Sequence, residues 1–245
     1  MDPRSWEGER HLGDTFLSLR RTSEAREAYD RGLVLAPANL TLMNFKAQTF
    51  LQEGDLAGAR AVLAAAPKEV EPTALMAHFA NYADLDWVLD DAQRDVLLRL
   101  TPAAFDGDRA AWGMSLAQAS ARRGDQAKAR EYAEEARKAG AAVLAEVPQD
   151  AQRRVFLGLA LAYLGKKAEA VREGERGVAL APNNRYYQHQ LVRIHVLLGN
   201  HDRALDLLEP LLKQPYYLTP AWLRIDPNFD PLRGNPRFEK LAHGT

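Results

Sequence analysis

Apolar residues return every three or four positions through most of the chain, and a turn signal interrupts them at regular intervals. In "EGDLAGARAVLAAAP" Gly54 is followed by Ala59 and Leu63. "RGDQAKAREYAEEA" has Gly124, Ala129, Ala133 and Ala136, and "LGKKAEAVREGERGVALAP" has Gly165, Ala170, Gly174 and Pro182. "LGNHDRALDLLEPLL" has Gly199, Ala204, Leu208 and Leu211. "LRRTSEAREAYDRGLVLAP" lacks the turn glycine but keeps Ala25, Tyr29, Gly32 and Pro37. The pattern predicts a helix–turn–helix unit. Glycine ends the first helix in a left-handed conformation, small residues let the two helices approach, and proline stops the second. The unit recurs every ~34 residues.

Residues 73–108 keep the helical period less well. Leu89, Ala92, Val96 and Leu100 recur at helical spacing before Pro102, and no copy of the glycine–alanine signal is present. This segment is read as a degenerate helix pair, which makes about six pairs in all. The helix starting at Gln126 is expected to run on to Val147, longer than its neighbours. The trunk of the first helix begins at Trp6 with no evident cap before it.

The end of the chain, "LTPAWLRIDPNFDPLRGNPRFEKL", breaks the pattern. Pro215, Pro220, Pro227, Pro231 and Pro236 forbid long helices, while Trp222, Phe229, Leu232 and Phe238 are too apolar for a solvated tail. An open helical array exposes a face at each end, so residues 215–245 are expected to cap the last repeat of an array over 1–214. Asp226 and Asp230, each just before a proline, suit turn or helix starts.

These features resemble the tetratricopeptide repeat family. In the first copy Leu12, Gly13, Phe16, Ala25, Tyr29 and Pro37 fall on its consensus positions, and Glu9 replaces its early tryptophan. The resemblance implies an all-α fold, a right-handed superhelical solenoid of about six helix pairs with a C-terminal cap. The tail, with "LEPLLKQP" before it, is similar to the end of repeat modules in large bacterial signalling proteins, often serine/threonine protein kinases. This implies that the chain is the C-terminal part of something longer, and leaves open whether Met1 is the native start.

Composition narrows the function classes. The 245 residues carry a formal net charge of −1, so no basic excess points to nucleic acid or to an anionic membrane. Cysteine is absent, which removes disulfides and thiol chemistry. No apolar run is long enough to span a membrane, so cytoplasmic is the default location, or extracytoplasmic if a membrane helix precedes the chain in its parent. No phosphate-binding loop, kinase catalytic loop or nucleophile elbow occurs. His189, His195 and His201 are spaced so that successive side chains turn by about 240° around a helix, and they share no face for a metal. The Asp84, Asp86, Asp90, Asp91 and Asp95 group is read as helix-start caps. No catalytic residue, metal or cofactor is expected.

What remains is the concave face, lined by the first helix of each pair. Register places there Arg10, Asp14, Asn44, Gln48, Gln118, Arg122, Tyr163, Tyr186, His189 and Arg193, with Leu17, Leu51, Met114, Val155, Leu159 and Val196 beside them. Amides, charges and aromatics together suit an extended peptide or a partner helix. Some relatives hold a terminal carboxylate at these places; Asp14 stands where that mode needs an asparagine, and repels one. The expectation is a protein-interaction scaffold for a protein, a peptide or an effector domain of the same parent. The alternative is a ligand-sensing module with a small molecule in the groove.

Overall fold

Ser5 opens the first helix: its side chain accepts the N–H of Gly8 at 3.2 Å, so the start is capped after all. The computed structural model describes residues 5–243, and Met1 lies outside them. Every regular element among the described residues is helical, and the first twelve α-helices fall into six pairs of a right-handed array. These are α1 (Trp6–Ser18) with α2 (Thr22–Leu35), α3 (Leu40–Gln52) with α4 (Leu56–Ala64), and α5 (Pro72–Asn81) with α6 (Asp91–Leu97). The others are α7 (Arg109–Arg122) with α8 (Gln126–Glu146), α9 (Ala151–Tyr163) with α10 (Lys167–Leu180), and α11 (Arg185–Leu197) with α12 (His201–Leu212).

The local chemistry follows the repeat. Gly54, Gly124, Gly165 and Gly199 have positive φ at the turns within four of the pairs. In the first pair Arg20 takes that left-handed place at φ 59°. Asn39, Asp55, Asp108, Asp125, Asp150 and Asn184 accept backbone N–H groups at the starts of α3, α4, α7, α8, α9 and α11. Between α9 and α10 the approach is so close that a Cβ on Gly158 would lie 2.9 Å from the carbonyl of Ala170 and the nitrogen of Gly174. Leu17, Leu51, Met114, Val155, Leu159 and Val196, expected on the concave face, are buried between helices.

The third pair departs most. The spacing of Leu89 to Leu100 predicts a helix, but α6 covers only Asp91–Leu97, behind a capping box of Asp90 and Gln93. Between α5 and α6 the chain turns through Ala83 and Asp84, both at positive φ, into a short 3-10 turn at Asp86–Val88. Asp84 to Leu89 are all buried. This inserted segment dips into the centre of the superhelix.

The C-terminal segment, with α13 (Pro220–Ile225), a 3-10 stretch (Pro227–Leu232) and α14 (Pro236–His243), covers more than the last pair. Trp222, Phe229, Leu232 and Phe238 are at most 1% exposed. One hydrophobic core joins Met43 to Ala119 of the second, third and fourth pairs with Val192 to Ala242 of the last pair and tail. In an open solenoid each unit touches only its neighbours. Here Thr219 Oγ1 donates to the carbonyl of Gln52 at 2.7 Å, and Gln52 Nε2 bridges the carbonyls of Leu17 at 2.8 Å and Tyr217 at 3.0 Å. Arg20 donates to the carbonyls of Leu212, Gln214 and Leu218. The tail is thus a strap that closes the superhelix back onto its first two pairs.

Candidate functional site

The centre of this closed ring collects residues far apart in sequence. The inserted segment supplies Asp84 and Asp86, α7 supplies Gln118 and Arg122, α11 supplies Tyr186, Gln190 and Arg193, and the strap supplies Asp226 and Asn228. Asp84 Oδ1 accepts from Gln118 at 3.1 Å. Its Oδ2 accepts from Tyr186 at 2.8 Å, Gln190 at 2.7 Å and Arg193 at 2.8 Å. Arg122 pairs with Asp86 at 2.5 Å, and the two guanidiniums converge on Asn228 Oδ1, at 2.9 Å from Arg122 and 3.1 Å from Arg193. Asp226 accepts the indole N–H of Trp222 at 3.0 Å and the backbone N–H of Asn228 at 2.8 Å.

The electrostatics follow from this pairing. Burial pushes Asp84 up, but Arg193 and the Tyr186 and Gln118 hydrogen bonds outweigh it and hold the carboxyl below its usual range. Burial pulls Arg122 and Arg193 down, and the facing carboxylates more than restore them. Asp226 is raised, because burial exceeds what Arg122 and its hydrogen bonds return. Both oxygens of Asp84 are spent on internal donors, so this carboxylate is placed to lock elements together rather than to take a proton from a substrate.

Of the residues placed on the concave face by sequence, Gln118, Arg122, Tyr163, Tyr186, His189 and Arg193 come together around this network. Asn44 and Gln48 lie beside it on α3, hydrogen-bonded to each other at 2.8 Å. Arg10 and Asp14 form a separate pair at 2.6 Å on α1, with Tyr29 donating to Asp14 at 3.0 Å. Burial raises the Asp14 carboxyl despite that arginine. Asp84 and Asp86 are corrections: both were read as helix caps, and both are buried ion-pair partners. A clue was in the sequence. α7 and α11 carry Arg122 and Arg193 but no Asp or Glu of their own, which points to carboxylate partners elsewhere in the chain.

Two open cavities flank the inserted segment and share Tyr82, Ala83 and Tyr186. One, of about 220 Å³, is bordered by Asp84, Asp108, Gln118, Arg153 and Phe156. The other, of about 250 Å³, is lined by Phe45, Gln48, His78, Tyr82, Tyr186 and Tyr217 among others. Both open on first helices of the pairs, the side expected to meet a partner.

Models of the tetratricopeptide repeat family match residues 11–72 and 186–210. These two stretches are tetratricopeptide repeats. The first match runs from α1 through α4 to the start of α5, and the second covers most of α11 and α12. No curated protein matches the chain. Among solved structures it is similar to TTC0263, a thermophilic TPR protein of Thermus thermophilus, at 19% identity over 86% of this chain and 91% of that one, TM-score 0.41. It is similar to the APC/C hetero-tetramer Cut9–Hcn1 at 18% identity over 95% of this chain and 43% of that one, TM-score 0.49. It is also similar to the TPR2AB domain of yeast Sti1 in complex with an HSP90 peptide, at 15% identity over 97% and 98%, TM-score 0.31. Among the described residues no helix is long and apolar enough to cross a membrane.

Within the repeat array, His189 makes the centre acid-sensitive. It stacks on Phe229 with ring centroids 5.8 Å apart and faces the Tyr216 hydroxyl at 3.3 Å. Burial, reinforced by Arg193 and opposed by Asp84, pushes its pKa from 6.5 down to about 3. An unfolded chain binds a proton at this histidine below pH ~6.5, while the folded one stays neutral. Stability is therefore complete above that pH and is lost as the pH falls toward 3. Melting temperatures taken by circular dichroism should drop steadily below pH ~6.5. His189→Phe should flatten that arm, and an acid slope identical to the wild type's would disprove this origin.

Proposed function

We propose that the chain is a non-catalytic protein-interaction scaffold, the C-terminal adaptor or regulatory module of a bacterial signalling protein. The tail's similarity to such modules supports the parentage, and the tetratricopeptide repeats support the mode of action. The observation that carries the reading is the pair of adjoining cavities on the concave side. Between them they reach α3, α5, α7, α9 and α11, the first helices of five pairs. A partner segment lying across Tyr82 would place side chains in both. Because the strap and the buried ion pairs fill the rest of the centre, recognition runs through these two anchoring cavities rather than along a continuous groove. Of the sequence-assigned residues, Asn44, Gln48, Gln118 and Tyr186 line them.

The aromatic lining of the second cavity, from Phe45, Tyr82, Tyr186 and Tyr217, supports the second reading, a ligand-sensing regulatory module. A photo-crosslinking residue separates the surfaces. Placed at Tyr82, it should join the partner, or the parent's own effector domain, through an identifiable peptide. Placed at Val34, 80% exposed on α2, it should not. Crosslinks from position 34 alone would move the interface away from the concave side. A melting-temperature rise with a small metabolite and no crosslink at either position would favour ligand sensing.

A further inference from the structure

Five aromatic side chains wall the larger cavity: Phe45 of α3, His78 of α5, Tyr82 of the inserted segment, Tyr186 of α11 and Tyr217 of the strap. Among the described residues no Lys or Arg lines it. The Tyr82 and His78 rings lie 4.4 Å apart. At its inner end stands Gln48, 1% exposed, whose Oε1 has no hydrogen-bond partner. The assignment of that oxygen is fixed by the neighbouring amide. Asn44 Nδ2 donates to the carbonyl of Tyr82 at 3.3 Å, which turns Asn44 Oδ1 toward Gln48 and makes Gln48 Nε2 the donor there, at 2.8 Å. Gln48 Oε1 is left as an orphan acceptor, a state that is unfavourable while nothing fills it.

Three of the donors around the cavity are already committed. The Tyr186 hydroxyl is given to Asp84, the Asn44 amide to Tyr82, and the Gln48 amide to Asn44. What the cavity offers a visitor is aromatic walls, with the Gln48 acceptor just behind them, to be uncovered as the visitor enters. Aromatic faces carry negative potential and attract cations, the more so when water is excluded. The volume of about 250 Å³ falls below the range of ~300–1,000 Å³ usual for drug-sized ligands, and suits a group the size of one side chain.

We propose that this cavity binds an organic cation bearing N–H groups, a guanidinium or an alkylammonium, with its charge against the aromatic walls and one N–H on Gln48 Oε1. The cation is either the head of an arginine or lysine side chain on a partner segment or a free small molecule. The first source rests on the interaction-scaffold reading above, and the second does not.

The test uses n-butylguanidine, its neutral isostere n-butylurea, and the capped tripeptide acetyl-Gly-Arg-Gly-amide beside its citrulline counterpart. Binding is followed by chemical-shift changes in the ¹H–¹⁵N spectrum of the full chain. Butylguanidine should give saturable shifts confined to α3, α5, residues 82–84, the start of α11 and the residues around Tyr217, with butylurea roughly ten- to thirty-fold weaker. Tyr82→Ala, at a side chain 56% exposed, should weaken the cation about ten-fold with an unchanged melting temperature. Gln48→Met should weaken the cation as well; if that core variant does not fold, Tyr82→Ala still decides. Butylurea binding as well as butylguanidine, no saturable shift with either, or Tyr82→Ala binding like the wild type would each overturn the proposal. If the arginine peptide also binds and the citrulline peptide does not, the cation is a partner's side chain. If butylguanidine binds and the peptide is excluded, the cation site stands and the peptide-scaffold reading of this cavity falls.

Discussion

Arg193→Met should destabilise the protein by about 3–5 kcal/mol, the usual cost of leaving a buried charge without its partner. Arg193 is 2% exposed and faces Asp84, 4% exposed, at 2.8 Å. It also donates to Gln190 at 2.8 Å, to Asn228 at 3.1 Å and to Gln118, so one substitution removes the ion pair from α11 to the inserted segment together with its hydrogen bonds to α7 and the strap. Methionine restores apolar contact worth about 1.5–3 kcal/mol at best, and it does not solvate the carboxylate left behind. The pairing account makes two further demands. Adding Asp84→Asn, which removes the stranded charge and tolerates the left-handed backbone, should recover at least half of the loss. The pH dependence should also change sign at this site. In the wild type Asp84 lies below its ordinary range, so its contribution is present above pH ~3.9 and lost as the pH falls through the folded value. In Arg193→Met the largest opposition to burial is gone and only the hydrogen bonds from Tyr186, Gln118 and Gln190 remain, so that carboxyl rises and the deficit of the variant should shrink as the pH falls. Urea midpoints followed by tryptophan fluorescence give all three quantities. A loss below about 1 kcal/mol at neutral pH would mean that water screens the pair and that it holds nothing together.

The six helix pairs were legible because their signals are local. Gly54, Gly124, Gly165 and Gly199 mark turns that only a positive φ can make, and Ala59, Ala129, Ala170 and Ala204 recur where helices pack closely. The long α8 was legible too, since nothing between Gln126 and Glu146 stops a helix. The centre was not. Asp84 and Arg193 are joined by the curvature of the whole superhelix, and no repeat period encodes that. Asp84 and Asp86 sit where the period fails, and there a carboxylate reads most simply as a cap. Asp90, a few residues past them, is one. The apolar character of the tail was plain from Trp222, Phe229, Leu232 and Phe238, but not its reach. Arg20, Gln52 and Thr219, which tie it to the first two pairs, are ordinary turn and helix residues when read locally. Their long-range role shows only once the ends of the array are seen to meet.

Deleting residues 216–245 should therefore do more than bare one end of an array. The deletion removes Trp222, Leu223, Phe229, Leu232 and Phe238, none more than 1% exposed. At about 1.5–3 kcal/mol for each fully buried large side chain, their sum reaches the 5–15 kcal/mol by which a whole domain is stable. The expected result is a chain with no cooperative thermal transition, or one that aggregates on expression; a melting temperature within a few degrees of the full chain would show the tail to be peripheral. A gentler change distinguishes a strap from a lid. Arg20→Ala with Thr219→Val removes most of the hydrogen bonds to the first two pairs, leaving that from Gln52 to the Tyr217 carbonyl, and keeps the tail's contacts with α11, α12 and Trp87 in place. Hydrogen exchange should then quicken in α1 to α4 while α11, α12 and α14 stay protected. A lid resting on the last pair alone predicts no change at the N-terminal helices. A strap predicts that they loosen first, because the bonds of Arg20 and Gln52 to the tail tie α1 to α4 to the last pair.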